Sequence, residues 1–441
     1  MLDKLDKILK ENNVFLSGGV GVGKSYLAQE IKEEYKNNGK KVEALGSTAM
    51  SAVNIGGKTL HRFFYFGICK NLDKLLVQDK NYKDRIDDLN NYLESIDLII
   101  IDEISMVSKE LFDMIAYRCD SCFKGKFLIV GDFYQLPPVE KQYKEEESDN
   151  IEKNYAFNSD FWEKLNLVYL GLTTSKRTKD KEFYDYLSQL RKYEISLQLI
   201  NYFKERVIHP TCTDSLDNNF TILYSTNKPA DFINEQKLNS LEGTCFIFEP
   251  KIFEKIDKKD LYKWIDKNLK IPIELKLKKG VRIIFCVNNL EENYYNGEQG
   301  EVIEICEQDE DGEAWIKIKK SDGTIIQLER YAFKMTKDEI GSSVSFSQFP
   351  IKLAYALTIH KSQGMSIEKL ACNINNIFDF GQLYVALSRA KDPNPDSFKI
   401  IFPNSNKFDF IFSNKKNVNP SVQDFYKIHK FKNLDVDEDF Q

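Results

Sequence analysis

Gly18-Gly19-Val20-Gly21-Val22-Gly23-Lys24-Ser25 follows directly on the apolar run Val14-Phe15-Leu16 and leads into Tyr26-Leu27-Ala28, so the stretch reads as strand, glycine-rich turn and helix start. Glycines let consecutive backbone N–H groups curl around phosphate oxygens at a helix N-terminus, where the peptide dipoles also favour negative charge. In that geometry Lys24 bridges the β and γ phosphates and the Ser25 hydroxyl is a ligand for Mg²⁺. Gly18, Gly19, Val20, Gly21, Val22, Gly23, Lys24, Ser25 and Tyr26 are therefore the candidate nucleotide-binding loop.

Further along, the apolar run Leu98-Ile99-Ile100-Ile101 emerges at Asp102-Glu103. Paired acids at the end of a buried strand place one carboxylate beside Mg²⁺ and another beside an attacking water. Asp102 takes the metal role and Glu103 that of the base. A guanine-reading Asn-Lys-x-Asp is approached by Thr226-Asn227-Lys228-Pro229-Ala230-Asp231, but the Asp stands one residue late. That shift spoils a bidentate contact to the base, so the nucleotide is assigned as ATP. Asn227 is left with another task or a strand-end cap.

The chain has 441 residues, enough for about three packed units at roughly 150 residues each. Its 42% hydrophobic and 29% charged residues exclude disordered and fibrous classes. Lys plus Arg number 62 against 68 Asp plus Glu, a net charge of −6, so any contact with nucleic acid must be a local groove. No apolar stretch approaches the roughly 20 residues of a membrane helix. Met1 to Lys7 is too charged for a signal-peptide core, while Leu2, Leu5, Ile8 and Leu9 mark one face of an amphipathic helix, and the expected location is cytoplasmic. The eight Cys are scattered; Cys119 and Cys122 form the only close pair, with neither a second pair nor a His nearby, which reads as reduced, mostly buried thiols.

Val14 to Leu16, Val42 to Leu45, Leu98 to Ile101 and Phe127 to Val130 are apolar runs separated by lengths suited to crossover helices. A second set starts at Thr221-Ile222-Leu223-Tyr224 and ends with segments around Leu353 to Leu357 and Lys399 to Phe402, giving two α/β units with a boundary near Gly171. Between Leu275 and Gln348 closely spaced β runs are punctuated by Asn296-Gly297, Asp311-Gly312 and Asp322-Gly323, as expected of hairpin turns in an inserted barrel. The charged run Lys144 to Lys153 and the acidic tail Asp435 to Asp439 read as solvated segments, and no internal repeat stands out.

Three longer stretches complete a pattern: Gly131-Asp132-Phe133-Tyr134-Gln135-Leu136-Pro137-Pro138-Val139, the run from Gln348 through Thr358-Ile359-His360-Lys361-Ser362-Gln363-Gly364, and Gly381-Gln382-Leu383-Tyr384-Val385-Ala386-Leu387-Ser388-Arg389-Ala390. With Gly46-Ser47-Thr48-Ala49, Gly56 to His61 and Lys279-Gly280-Val281, they resemble the helicase motifs of the PIF-type, RecD-like superfamily 1 DNA helicases over about Val14 to Phe402. The resemblance implies two tandem RecA-like P-loop domains with a small SH3-like β-barrel inserted in the second, and ATP in the cleft between them. The boundaries it suggests are 1–170 for the first domain, with a wedge segment near 63–90; 171–274 and 346–403 for the second; 275–345 for the barrel; and 404–441 for a C-terminal extension. It further implies that Gln135 and Arg177, in Thr174-Ser175-Lys176-Arg177, meet the γ-phosphate, that Gly364 borders the nucleotide, and that Arg389 is an arginine finger. An arginine completing a phosphoryl-transfer site is worth about 10³ to 10⁵ in rate.

By the same resemblance, single-stranded DNA lies across both RecA-like domains, with Thr48, Thr59, His61, Phe63 and Pro137 in the first and His360, Lys361 and Ser362 in the second as candidate contacts. Phosphate contacts from hydroxyls, backbone N–H groups and a few cations reconcile such a track with an acidic chain. Phe63-Phe64-Tyr65-Phe66 is an aromatic run that either stacks on bases, supports the wedge or fills the core. Lys276, Lys278, Lys279 and Arg282 either touch a duplex or form a solvated strand edge. The implied activity is ATP- and Mg²⁺-dependent 5′ to 3′ translocation by a monomer on single-stranded DNA, unwinding duplexes at single/double-strand junctions in repair, recombination or replication. The alternatives are an ATP-gated single-strand clamp or nucleoprotein remodeller without unwinding, and an ATPase acting on protein partners. Departures from the family are the lack of any Gln before Gln29 to read adenine, Met50 where many relatives have Lys, Ser366 where Thr is common, and no extended N-terminal domain before Gly18.

Overall fold

The computed structural model describes residues 1–67, 69–138, 154–176, 180–253, 258–259, 261–262, 265, 271–287, 289, 292–309, 312–335, 344–404, 407–414 and 417–436. Lys144 to Lys153, Arg177 and most of the acidic tail lie outside these residues. The chain divides into two compact units, Met1–Lys179 with Val418–Gln441, and Asp180–Asn417. The division thus falls later than the boundary expected near Gly171, and the last two dozen residues return to the first unit.

In the first unit a seven-stranded sheet is built from β1 (Val14–Gly18), β2 (Val42–Gly46), β3 (Lys58–Thr59), β4 (Leu98–Asp102), β5 (Lys126–Gly131), β6 (Val168–Leu172) and β22 (Lys432–Asn433). Their order is β22-β6-β1-β5-β4-β2-β3, and every pairing is parallel. All residues of β1 and β4 are buried, as befits parallel strands covered on both faces. The helix Lys24–Asn37 covers the sheet with Leu27, Ala28 and Ile31, and the N-terminal helix Leu2–Glu11 buries Leu5 and Leu9 of the expected apolar face. Register aligns the carboxyl ends of the strands: Ser17 pairs with Gly131, Gly18 with Leu172, and Gly46 with both Asp102 and Thr59. The phosphate loop, the paired acids, the Asp132 turn and the Ser47-Thr48 corner consequently leave one end of the sheet, where ligands of open α/β sheets bind.

In the second unit a five-stranded parallel sheet runs β19-β8-β20-β21-β7, from β7 (Val207–Ile208), β8 (Thr221–Tyr224), β19 (Ala356–Thr358), β20 (Leu370–Asn373) and β21 (Phe398–Ile401). Between β8 and β19 in sequence all pairing is antiparallel. One sheet runs β15-β14-β13-β12-β18, from β12 (Arg282–Phe285), β13 (Gln299–Cys306), β14 (Trp315–Lys320), β15 (Ile325–Leu328) and β18 (Ile351–Leu353). Two smaller ones join β9 (Phe246–Phe248) to β11 (Leu275–Leu277), and β10 (Lys251–Ile252) to β17 (Val344–Gln348) and β16 (Tyr331–Met335). The antiparallel part begins before Leu275 and ends at Leu353, beyond the expected span. Strands of two or three residues carry too little periodicity to be read from sequence. Gly297 and Gly323 have φ of 92° and 88°, the left-handed backbone their turns require.

The segment expected as a wedge holds two helices, Leu72–Asp79 and Lys83–Glu94. Of the aromatic run, Phe63, Phe64 and Phe66 are buried, with Phe64 and Phe66 stacked at 5.4 Å, so these three rings are core and only Tyr65 keeps a partly open face. Arg282 is likewise buried, donating to the carbonyls of Asn218 and Phe220 and to Gln299, which removes it from a solvated strand edge. All eight cysteines are free thiols and five are buried. Among the described residues no helix is long and apolar enough to cross a membrane.

Candidate nucleotide and nucleic-acid site

The phosphate loop takes the conformation its glycines permit. Gly21 and Gly23 have φ of 77° and 90°, and Gly23 is the N-cap of helix Lys24–Asn37. A Cβ on Gly18 would collide with the carbonyl of Leu172 across the β1–β6 pairing. Lys24 Nζ donates to the carbonyls of Gly18 and Gly19 at 2.8 and 2.9 Å, which holds the ammonium over the loop. The Lys176 N–H donates to the Gly21 carbonyl at 2.7 Å, so the segment leading to Arg177 rests on the same loop.

Asp102 ends β4, only 3% exposed, with its carboxylate accepting from the Glu103 N–H at 2.9 Å. Burial and the adjacent Glu103 carboxylate push its pKa well above the usual carboxylate range, opposed by the Ser25 hydroxyl and Lys24. A carboxylate so desolvated, with a hydroxyl on it, fits a divalent cation, whose charge would restore the ionised form. Glu103 itself sits at φ 54°, ψ 48°, a left-handed conformation that is uncommon for a residue with a side chain and of order 1–3 kcal/mol unfavourable. Such backbone strain gathers where a side chain must be aimed.

After β5 the chain turns through Asp132, whose carbonyl accepts from the Gln135 N–H at 3.0 Å and whose carboxylate accepts from the Tyr134 N–H at 3.2 Å. Gln135 is 5% exposed. Two residues of the C-terminal segment reach this region: Tyr426, absent from the sequence expectations, meets the turn and the strand that launches the loop, and Asp435, expected in a solvated tail, meets the segment after β6. The Tyr426 hydroxyl lies 2.6 Å from Ser17 Oγ and accepts from the Phe133 N–H at 3.3 Å. Asp435 accepts from the N–H groups of Thr173 and Thr174 at 2.9 and 2.6 Å.

Thr48 caps helix Ala49–Asn54 in a capping box with Ser51, and Thr59 caps Leu60–Phe63 by accepting from the Arg62 N–H. His61 meets the edge of Phe66. Phe63 packs on Phe64 and Tyr92 beneath the Lys58 ammonium, and Pro137 is buried, so these two are withdrawn from the surface. In the second unit His360 stacks on Phe378, and the Lys361 N–H donates to Thr358 Oγ1. Ser362, the third candidate contact of this unit, is fully buried with its hydroxyl on the Ile359 carbonyl. Gly364 is exposed at φ 82°, and a Cβ on Gly297 would stand 3.0 Å from Met365, so the Asn296-Gly297 turn packs against this motif. Arg389, 1% exposed, donates to the carbonyls of Val385, Ser362 and Met365 and to Ser388 Oγ, tying the end of helix Gln382–Leu387 to residues 362–365.

The Ser47-Thr48 corner of the first unit has a counterpart in the second. Thr226 stands at the N-cap position of helix Asn227–Ser240 at φ −130°, ψ 161°, nearly the −123°, 162° of Thr48, without the side-chain cap bond that Thr48 makes. Ser47 and Ser225, which precede them, both bury hydroxyls that have no hydrogen-bond partner among the described residues. The shared Ser-Thr after a parallel strand was the signal.

A phosphate loop and paired acids at the carboxyl end of a parallel sheet define a P-loop nucleoside triphosphatase. The family model for PIF1-like helicases matches residues 4–200. Over 99% of both chains the protein is 46% identical to the ATP-dependent DNA helicase Pif1 of Campylobacter jejuni. It superposes on Bacteroides Pif1 in complex with ADP-AlF4 with a TM-score of 0.75 at 26% identity, covering 97% of this chain and 96% of that one. Against Bacteroides Pif1 bound to single-stranded DNA the TM-score is 0.60 at 27% identity, covering 93% and 95%. The chain belongs to the PIF1-like helicase family and is an ATP-dependent DNA helicase.

Proposed function

We propose that this chain couples hydrolysis of ATP to 5′ to 3′ translocation on single-stranded DNA, separating strands where it meets a single/double-strand junction. The observation that carries this reading is Lys24 poised over its loop beside Ser25 and the buried Asp102, in a chain so close to a named DNA helicase. Lys24 neutralises the β and γ phosphates. Ser25 and Asp102 would hold Mg²⁺, which when bound would neutralise negative charge on the phosphate oxygens. Glu103 takes the proton of the attacking water, and Gln135 and Arg177 contact the γ-phosphate. Arg389 supplies the arginine that stabilises charge on the transferred group.

The strand track uses Thr48, Thr59 and His61 in the first domain and His360 and Lys361 in the second, to which the Ser225-Thr226 corner adds a counterpart of Ser47-Thr48. Phosphates rather than bases are gripped, in keeping with a net charge of −6 and a track that must pass any sequence. Both parallel-sheet domains are RecA-like, the antiparallel part is an SH3-like insertion, and the working unit is a monomer. The test is unwinding of a duplex carrying either a 5′ or a 3′ single-stranded tail. Strand separation from the 5′ tail alone supports the reading. ATP turnover stimulated by the strand without separation from either tail would make the protein a clamp.

A further inference from the structure

The residues after Val418 match no motif, yet they meet three segments of the phosphate site within the first unit. Helix Pro420–Ile428 inserts Phe425 among Phe133, Phe157 and Trp162, with ring centroids 5.2, 4.6 and 5.9 Å away. This packing fixes the next residue. Tyr426 lies flat on Tyr134 at 4.5 Å, immediately before Gln135. Its hydroxyl stands 2.6 Å from Ser17 Oγ, one residue ahead of the phosphate loop, takes the Phe133 N–H at 3.3 Å and donates to the Asp132 carboxylate at 3.4 Å. Strand β22 then adds to the sheet beside β6, and Asp435 receives the Thr173 and Thr174 N–H groups together with the Thr173 hydroxyl. That segment reaches the loop through Lys176 on Gly21.

We propose that the C-terminal segment is a strap that sets the geometry of the phosphate site, with Tyr426 and Asp435 as positioning residues acting through Gln135 and the Thr173–Lys176 segment. One phenol bridges the strand that launches the phosphate loop and the turn that carries Gln135, so loop and turn move as one body. One carboxylate locks the third segment, and in each case the partner is more than 250 residues away in sequence. Hydrogen bonds of this kind do not touch nucleotide; they set where groups that do touch it stand, and a displacement of about 1 Å at such a group costs up to 10²-fold in rate. The proposal rests on the reading of Gln135 and the loop as the nucleotide site.

The test is a double-mutant cycle in the full chain with Tyr426→Phe, which keeps the stacked ring and removes the hydroxyl, and Gln135→Ala. Single-stranded-DNA-stimulated hydrolysis, binding of a fluorescent ATP analogue, DNA affinity and melting temperature are measured. Tyr426→Phe is expected to lower kcat about tenfold, the size of one lost hydrogen bond, with KM for ATP and DNA affinity nearly unchanged. In the Gln135→Ala background the same change is expected to do little, since its effect runs through that residue. Asp435→Ala, a second variant independent of the helix, is expected to slow hydrolysis in the same direction. Wild-type kcat in Tyr426→Phe and Asp435→Ala, or a fall in melting temperature alone, would overturn the strap. Wild-type hydrolysis in Gln135→Ala would instead overturn the site reading beneath it.

Discussion

Arg118 and Asp79 meet through two parallel hydrogen bonds of 2.6 and 2.8 Å, and the same guanidinium donates to the Phe64 carbonyl at 3.0 Å. This buried fork joins helix Leu72–Asp79 to helix Lys109–Cys119, and so fixes the helix Leu72–Asp79 to the body of the first unit. Removing one partner leaves the other charge buried and unpaired. Arg118→Ala is therefore expected to destabilise the first unit by about 3–5 kcal/mol, read by denaturant titration. A loss within about 0.5 kcal/mol would show the pair to be ornamental to the fold.

Arg389→Ala is expected to reduce DNA-stimulated ATP turnover by about 10³-fold or more while nucleotide binding persists. Since its guanidinium also spans the carbonyls of Ser362 and Met365, Arg389→Lys is the sharper variant. Lysine keeps the charge and loses the fork, so its turnover should stay low. Turnover at the wild-type rate in both variants would remove Arg389 from the chemistry.

Which parts of this molecule could be read from its sequence follows from distance along the chain. Gly18 to Ser25 and Asp102-Glu103 are local signals, a turn on a strand and acids at a strand end, and both stand where they were expected. The left-handed backbone of Glu103 was not legible, because residue type does not announce it. Phe63, Phe64 and Phe66 were open to several readings because composition alone does not separate a core ring from a stacking ring. Arg118 with Asp79, and Tyr426 with Ser17, are separated by 39 and 409 residues, and no local period encodes such pairs. The return of Val418–Gln441 escaped for the same reason, its strand being only Lys432–Asn433.

Lys352 is buried, and among the described residues its Nζ has no hydrogen-bond partner. Burial holds its pKa below the ordinary lysine value. Lys352→Met keeps the length and removes the desolvated amine, so it is expected to raise stability by about 1–3 kcal/mol, with a higher melting temperature. A lower melting temperature would mean that the amine has a stabilising partner.

His429 stacks on Tyr169 at 4.1 Å, and burial keeps its pKa below the ordinary histidine value against the pull of Glu163. The unfolded chain then takes up its proton first, so the contribution to stability is full above about pH 6.5 and is lost as pH falls through the folded value. Melting temperature should decline on acidification across that window more in the wild type than in His429→Phe. Parallel curves would assign the acid sensitivity elsewhere.

The central claim, that ATP turnover at this phosphate site is coupled to a DNA strand, is tested most directly by steady-state hydrolysis at low salt with and without an unstructured single-stranded DNA oligonucleotide, using Lys24→Ala as the control. Strong stimulation by the strand, abolished in Lys24→Ala, is the predicted result. Hydrolysis by the wild type that is indifferent to the strand would contradict it.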